Sequence, residues 1–207
     1  MKIESLCLGM VMTNVYFLQN EETKQMLIVD PSDNADRIFE KVESMEGKPA
    51  AILLTHGHFD HIMAVKEVAD KYKIPVIASK AEEKLLADTS LNLSGMSGLG
   101  QVTIKPDILL NDNDESPIDG FKFKVILTPG HTSGSCCYYF YDDKALISGD
   151  TLFHGSCGRT DFPTSSGADM RDSLKKLVTE LPGDVNVYPG HDSYTSIGFE
   201  KRMNPFV

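Results

Sequence analysis

The sequence predicts an α/β fold carried by one domain over residues 1–207. Three observations predict it: short apolar runs of strand length that each stop at a polar turn, amphipathic helical patterns between them, and an ordinary composition. Hydrophobic residues make up 41% and charged residues 24%, which places the chain with globular proteins and away from disordered ones. A length of 207 residues suits one large α/β or all-β unit.

The elements follow in order. NVYFL and QMLIV flank the polar, turn-like QNEETK and predict a hairpin. QMLIV ends at Asp30-Pro31, and a Ser/Asp/Asn cluster opens a helix from Ala35 to Glu46 that Gly47, Lys48 and Pro49 close. AAILLT predicts a buried strand. After it, Ile62, Val65, Val68, Ala69 and Tyr72 fall on one face of a helix running from Ile62 to Tyr72. IPVIAS predicts a strand, AEEKLLAD a short helix, and the Ser- and Gly-rich TSLNLSGMSGLG an irregular loop. In the second half, KFKVILT, CCYYFY, ALIS and VNVY predict strands. Met170, Leu174, Leu177, Val178 and Leu181 mark a helix stopped by Pro182-Gly183.

Charge and cysteine usage exclude some function classes. Twenty Lys and Arg against 30 Asp and Glu give a formal charge of -10, which disfavours a nucleic-acid partner. No run approaches the ~18 consecutive apolar residues of a membrane span, and MKIESLCLGM lacks the form of a secretory signal, so a cytoplasmic protein is expected. Cys7, Cys136, Cys137 and Cys157 show no C-x-x-C spacing and read as reduced thiols. Cys136 and Cys137, inside CCYYFY, read as small buried hydrophobes.

The histidines are distributed unevenly. His56, His58 and His61 follow AAILL within THGHFDH, His131 follows KVIL, and His191 follows VNVY; only His154 lies elsewhere. Asp60 sits in the same heptad and Asp150 follows ALIS. Strands of a layered α/β sheet end along one edge, so these turns point at one place. A lone His131 or His191 more often serves structure, and a lone Asp150 before a turn is usually a cap. Seven such groups at strand ends beside apolar runs are better explained as metal ligands, because uncompensated buried polar groups are costly. His154 keeps a structural or surface reading. Zinc takes about four ligands of this type, so seven serve two ions, with iron or manganese also acceptable to the donor set. His56 and His58, two apart, project to one side and can share an ion, while Asp60 and His61 are displaced toward a second. Gly57 eases the tight backbone between them.

On these residues the chain resembles the metallo-β-lactamase fold hydrolases, whose H-x-H-x-D-H motif, distant His, Asp and final His match THGHFDH, His131, Asp150 and His191 over essentially the whole chain. The resemblance implies a four-layered αββα sandwich. It also implies one divalent ion on His56, His58 and His131, a second on Asp60, His61 and His191, and Asp150 bridging. TPGHTSGSCCYYF, SGDTLFHGSCGRTDFP and YPGHDSYTSIGFEKRMNPF are similar to the short members of the glyoxalase II (hydroxyacylglutathione hydrolase) branch. The activity implied is hydrolysis of a thioester, S-lactoylglutathione or a related S-acyl thiol, by a metal-bridging hydroxide, with Asp60 orienting the nucleophile or relaying its proton. By position, Arg159 is the candidate anion clamp for substrate, against a loop-bracing alternative, and Tyr194 a weaker substrate contact. The C-terminal helical domain that supplies glutathione contacts in full-length glyoxalase II has no counterpart before Val207, which separates the expected substrate from glutathione selectivity. The competing activity is that of a mononuclear iron persulfide dioxygenase acting on glutathione persulfide.

Overall fold

The computed structural model describes all residues 1–207. In chain order the elements are β1 (Lys2–Leu8), β2 (Thr13–Gln19), β3 (Gln25–Val29), α1 (Ala35–Ser44), β4 (Lys48–Leu53), α2 (Phe59–Ile62), α3 (Val65–Tyr72), β5 (Val76–Ser79), α4 (Glu83–Leu86) and β6 (Ile108–Leu110). The second half adds β7 (Lys124–Leu127), β8 (Cys136–Phe140), β9 (Ala145–Gly149), β10 (Leu152–Phe153), β11 (Ser156–Cys157), α5 (Gly167–Glu180), β12 (Asn186–Pro189), β13 (Thr195–Ser196) and α6 (Ile197–Met203).

Each half builds one sheet. The first has strand order β1-β2-β3-β4-β5-β6, the second β13-β12-β9-β8-β7, and β10 and β11 form a separate small ribbon. β3, β4, β5 and β6 run parallel. In the second sheet β7, β9 and β12 share one direction, because β8 is antiparallel to both β7 and β9 and β12 is parallel to β9. The carboxyl ends of β3, β4 and β5 therefore share one edge of the first sheet, and those of β7, β9 and β12 one edge of the second.

Three apolar clusters define four layers. One lies between the first sheet and the helices, with Phe17, Ile28 and Ile52 against Ile38, Val42 and Val68. The second lies between the sheets, with Leu18, Leu27 and Leu53 facing Phe123, Tyr138 and Phe140. The third packs Cys137, Leu146 and Val187 against Met170, Leu174 and Leu177 of α5. This is the expected αββα sandwich of the metallo-β-lactamase fold. Phe123 is fully buried, with its ring 5.2 Å from those of both Tyr138 and Phe140. Phe123→Ala is expected to cost about 3–5 kcal/mol of unfolding free energy, read from the midpoint of a urea transition at unchanged slope.

Several boundaries differ from the sequence reading. α1 stops at Ser44, and Lys48 and Pro49 already belong to β4. Pro49 is tolerated because the β3–β4 register shifts beside its partner Met26, where a ladder donor is dispensable. The helix expected over Ile62–Tyr72 begins earlier, at Phe59, and breaks at Met63–Ala64. There the Ala64 N–H donates to the Pro31 carbonyl at 3.0 Å, so the loop after β3 takes a bond that a continuous helix would have used. β1, β6, α6 and the two-residue strands were not anticipated. Cys136 and Cys137 are buried and all four cysteines are free. No helix is long and apolar enough to cross a membrane.

Candidate metal centre

The turns after β4, β7, β9 and β12 carry the seven sequence-predicted donors to one place. Their ligand atoms form three groups, each with atoms within 4.8 Å of one another: His56, His58 and His131; His56, His61 and Asp150; Asp60, His61 and His191. Asp150 stands between the outer two. Its Oδ2 lies 3.4 Å from Nε2 of both His131 and His191, and its Oδ1 3.4 Å from Nε2 of His61. On the first side, Nδ1 of His58 approaches Nε2 of His131 to 2.8 Å.

Supporting residues fix which ring nitrogens face inward. His131 Nδ1–H donates to the Arg159 carbonyl at 2.8 Å, which leaves Nε2 for the centre. Asp30, just past β3, is buried and organises two further rings. Its Oδ2 accepts from Nδ1 of His61 at 2.9 Å and from the Thr55 hydroxyl at 2.6 Å, and its Oδ1 accepts the Thr55 N–H at 2.8 Å. With that hydroxyl proton committed, Thr55 Oγ1 accepts from Nδ1 of His56 at 3.2 Å. One carboxylate thus orients a histidine on each side. Asp60 is held in turn by the Thr13 hydroxyl of β2, 2.9 Å from its Oδ2.

Asp30 was missed in the sequence, where Asp30-Pro31 reads as a turn and helix lead-in. Its position, an acidic residue directly after an apolar strand, is the one Asp150 holds after β9, and that parallel was the available signal. Gly190 closes the wall: a Cβ there would run into Asp150 Oδ1 and stand 2.8 Å from His61 Cε1. Backbone without a side chain is the condition for these two groups to meet.

The electrostatics divide the centre. Burial, reinforced by neighbouring imidazoles, pushes the His56 ring well below its ordinary range and His58 down to about 3, so both are neutral at pH 7. Burial also opposes a charge on His61 and His191, but the carboxylates outweigh it. Asp60, Asp150 and Asp30 hold His61 well above its usual range, and Asp150 and Asp60 raise His191 to about 10. Asp150 and Asp60 are kept low in the same way, against their own burial, by His61 and His191.

The donor set fits metal. Nε2 of His56 and His61 and Oδ1 of Asp150 are buried without a hydrogen-bond partner, and these three residues form one of the groups, while His58 turns Nδ1 toward His131. Orphaned buried polar atoms are rare and costly, and imidazole nitrogens with carboxylate oxygens are the ligands of zinc, iron and manganese.

A cleft of about 530 Å³ opens onto the centre, lined by Val11, Leu93, Phe153, Phe162, Arg159 and Asp192 beside the donors. Phe162 packs against His58 and His131, with ring centroids 5.4 and 6.2 Å away. Arg159 lines the cleft, but its guanidinium is forked onto Asp161, Nε to Oδ1 at 2.6 Å and Nη2 to Oδ2 at 2.7 Å, and lies 4.1 Å over the Phe162 ring. Tyr194 is brought elsewhere. It is 72% exposed and lines a neighbouring cleft with Tyr16 and Tyr188, which meets the metal cleft only at Asp192. His154 lies outside the donor groups, its ring 4.8 Å from Phe199.

Comparison with known proteins agrees with this geometry. The model of the metallo-beta-lactamase superfamily matches residues 8–191. A probable metallo-hydrolase of Bacillus subtilis, YqgX, is 39% identical over 208 residues, covering 100% of this chain and 98% of that protein. The hydroxyacylglutathione hydrolase GloC of Haemophilus influenzae is 32% identical over 209 residues, covering 100% and 98%. Among solved structures, the BLEG-1 B3 metallo-beta-lactamase superposes with a TM-score of 0.93 at 39% identity, covering 99% of both chains. TTHA1623 in a di-iron-bound form gives 0.85 at 30% identity, covering 99% and 100%. ETHE1 from Myxococcus xanthus gives 0.79 at 28% identity, covering 99% and 84%. Seven donors on four strand-end turns, in an αββα frame that these proteins share, place this chain in the metallo-β-lactamase superfamily.

Proposed function

We propose that the chain is a cytoplasmic two-metal hydrolase of thioesters, acting on S-lactoylglutathione or a related S-acyl thiol. The observation that carries the reading is the convergence of the orphaned Nε2 atoms of His56 and His61 with the unpartnered Oδ1 of Asp150, between the His56–His58–His131 and Asp60–His61–His191 groups. His56, His58 and His131 would hold one divalent ion, Asp60, His61 and His191 the other, with Asp150 shared. Zinc is the first choice for this donor set, with iron or manganese as alternatives. When bound, such a pair supplies a Lewis acid and lowers the pKa of bound water to about 7.

The chain's own residues do the rest. Asp60, fixed by Thr13 and 3.3 Å from His191 Nε2, orients the nucleophile and takes its proton. Phe162, Phe153 and Val11 wall the cleft and thin the water around the scissile carbonyl. A thiolate leaves without a strong general acid, which suits a centre whose polar groups are nearly all donors. The name of the Haemophilus influenzae relative supports a glutathione-derived substrate.

The persulfide dioxygenase reading, with one iron on a subset of these donors, rests on the similarity of the donor set to such enzymes. The complete Asp60–His61–His191 group favours two ions. Purified protein loaded with Zn²⁺ or Mn²⁺ is expected to cleave S-lactoylglutathione. Absence of cleavage at confirmed metal occupancy, with oxygen uptake on glutathione persulfide after anaerobic iron loading, would replace the first reading with the second.

Arg159 offers a finer test. A substrate carboxylate reaching it competes with Asp161, which holds the fork. Asp161→Asn is expected to lower KM for an anionic thioester by about two- to fivefold, the range of an exposed ion pair, with kcat unchanged. Arg159→Ala raises that KM and leaves a neutral thioester unaffected. Equal effects on both substrates would mark Arg159 as a loop brace.

A further inference from the structure

Glu82 is a buried carboxyl that the chemistry above does not use. It ends the 3-10 turn Lys80–Glu82 that follows β5, on the same sheet edge as Asp30 and the THGHFDH turn, and is 1% exposed. Its Oε1 accepts the N–H of Gly57, the residue between His56 and His58, at 2.9 Å. Its Oε2 faces the turn after His131. A Cβ on Gly134 would strike that oxygen and the backbone of Ala81 and Glu82, so the two turns are in direct backbone contact. Oε2 has no partner at full hydrogen-bond geometry, and the Thr132 hydroxyl and the Gly134 amide stand near the carboxyl.

A carboxyl is an expensive way to fill this space. Burial pushes its pKa up, and a leucine, like the neighbouring Leu85 and Leu86, would fill a core position at lower cost. What a carboxyl adds is reach in two directions. One oxygen is bonded to the turn of the first half that carries His56 and His58, and the other lies against the turn of the second half that carries His131.

We propose that Glu82 is a positioning residue that sets the approach of His58 to His131 across the two halves of the fold, and so controls the affinity of the His56–His58–His131 group for its ion. The Asp60–His61–His191 group is braced by Thr13 and Asp30, and the hydrogen bond of Glu82 runs to the other group's turn. Loss of Glu82 should therefore be felt on one side of the centre only. This inference rests on the metal reading above, and its test separates the two.

The experiment is Co²⁺ titration, followed by visible absorption and calorimetry, in two backgrounds. His191→Ala isolates the first group and His58→Ala the second. Adding Glu82→Ala is expected to weaken binding 10- to 100-fold in the first background, the range for removing a residue that orients metal ligands, and by less than about twofold in the second. Glu82→Gln keeps an acceptor for Gly57 but turns an amide N–H₂ toward Gly134. It is the safer variant if alanine unfolds the chain, and is expected to weaken the first group alone by at least about threefold. Equal weakening of both groups, or a lower melting temperature with both affinities unchanged, overturns the proposal and makes Glu82 a structural residue. Failure of the parent protein to bind Co²⁺ overturns the metal reading, and this inference with it.

Discussion

His61→Ala is expected to reduce kcat for thioester cleavage by about 10³-fold or more, with a far-UV circular dichroism spectrum like that of the parent. The ring is fully buried, and its Nε2 lies 3.5 Å from Asp60 and 3.4 Å from Asp150, so it belongs to both the middle group and the Asp60–His61–His191 group. Its removal takes a donor from the second group and an opposing charge from three carboxylates together. Losses of about 10²–10³ follow from deleting a single group that stabilises developing charge, and here the group also holds the machinery in place. Elemental analysis should show about one ion per chain in place of two. Retained turnover at one ion per chain would refute two-metal chemistry and favour a centre built on His56, His58 and His131.

Chelation should lower the melting temperature by about 8–16 °C for each ion removed. Metal bound to the native state alone stabilises it by about 4 kcal/mol when free ion stands at a thousand times the dissociation constant, and each kcal/mol is worth about 2–4 °C in a chain of this size. The pH dependence has a definite sign. Without metal, His191 titrates near 10 and His61 is held well above its ordinary range, so both carry protons at pH 7 that binding must release. Lowering the pH therefore weakens ion binding. Calorimetry in two buffers of different ionisation enthalpy measures the proton count, and zero protons released would contradict the charge arrangement described here.

That these seven residues would meet was legible because each follows the end of an apolar run, and that position is visible one strand at a time. Asp30 and Glu82 were not, although they stand on the same sheet edge. Asp30-Pro31 reads as a turn by local chemistry, and Glu82 reads as the polar face of a short helix. Their roles depend on His61, Gly57 and Gly134, which are 25 to 52 positions away in sequence and adjacent only after folding. The missed elements have local causes too. β1 is an edge strand whose burial alternates only weakly along KIESLCL, and β6 has three residues. α6 buries Glu200 beside Ile197, because Glu200 accepts from Thr195 and Asn204, so its inward face carries no apolar period. Tyr194 reads as a candidate substrate contact because it follows His191 closely in sequence. The left-handed backbone at Asp192 intervenes, and Tyr194 lines the adjacent cleft.

The bare backbone at Gly190 bears on how such a protein can diversify. Every other amino acid there carries at least the Cβ that would displace Asp150, so this wall is closed to variation whatever the reaction. Val11, Leu93 and the Arg159 side chain line the same cleft without holding the donors, since Arg159 braces His131 through its backbone carbonyl alone. Descendants of this chain adapted to new substrates should therefore differ at the rim and keep the wall, and a mutational library confined to those three positions would sample new specificities while leaving every donor in place.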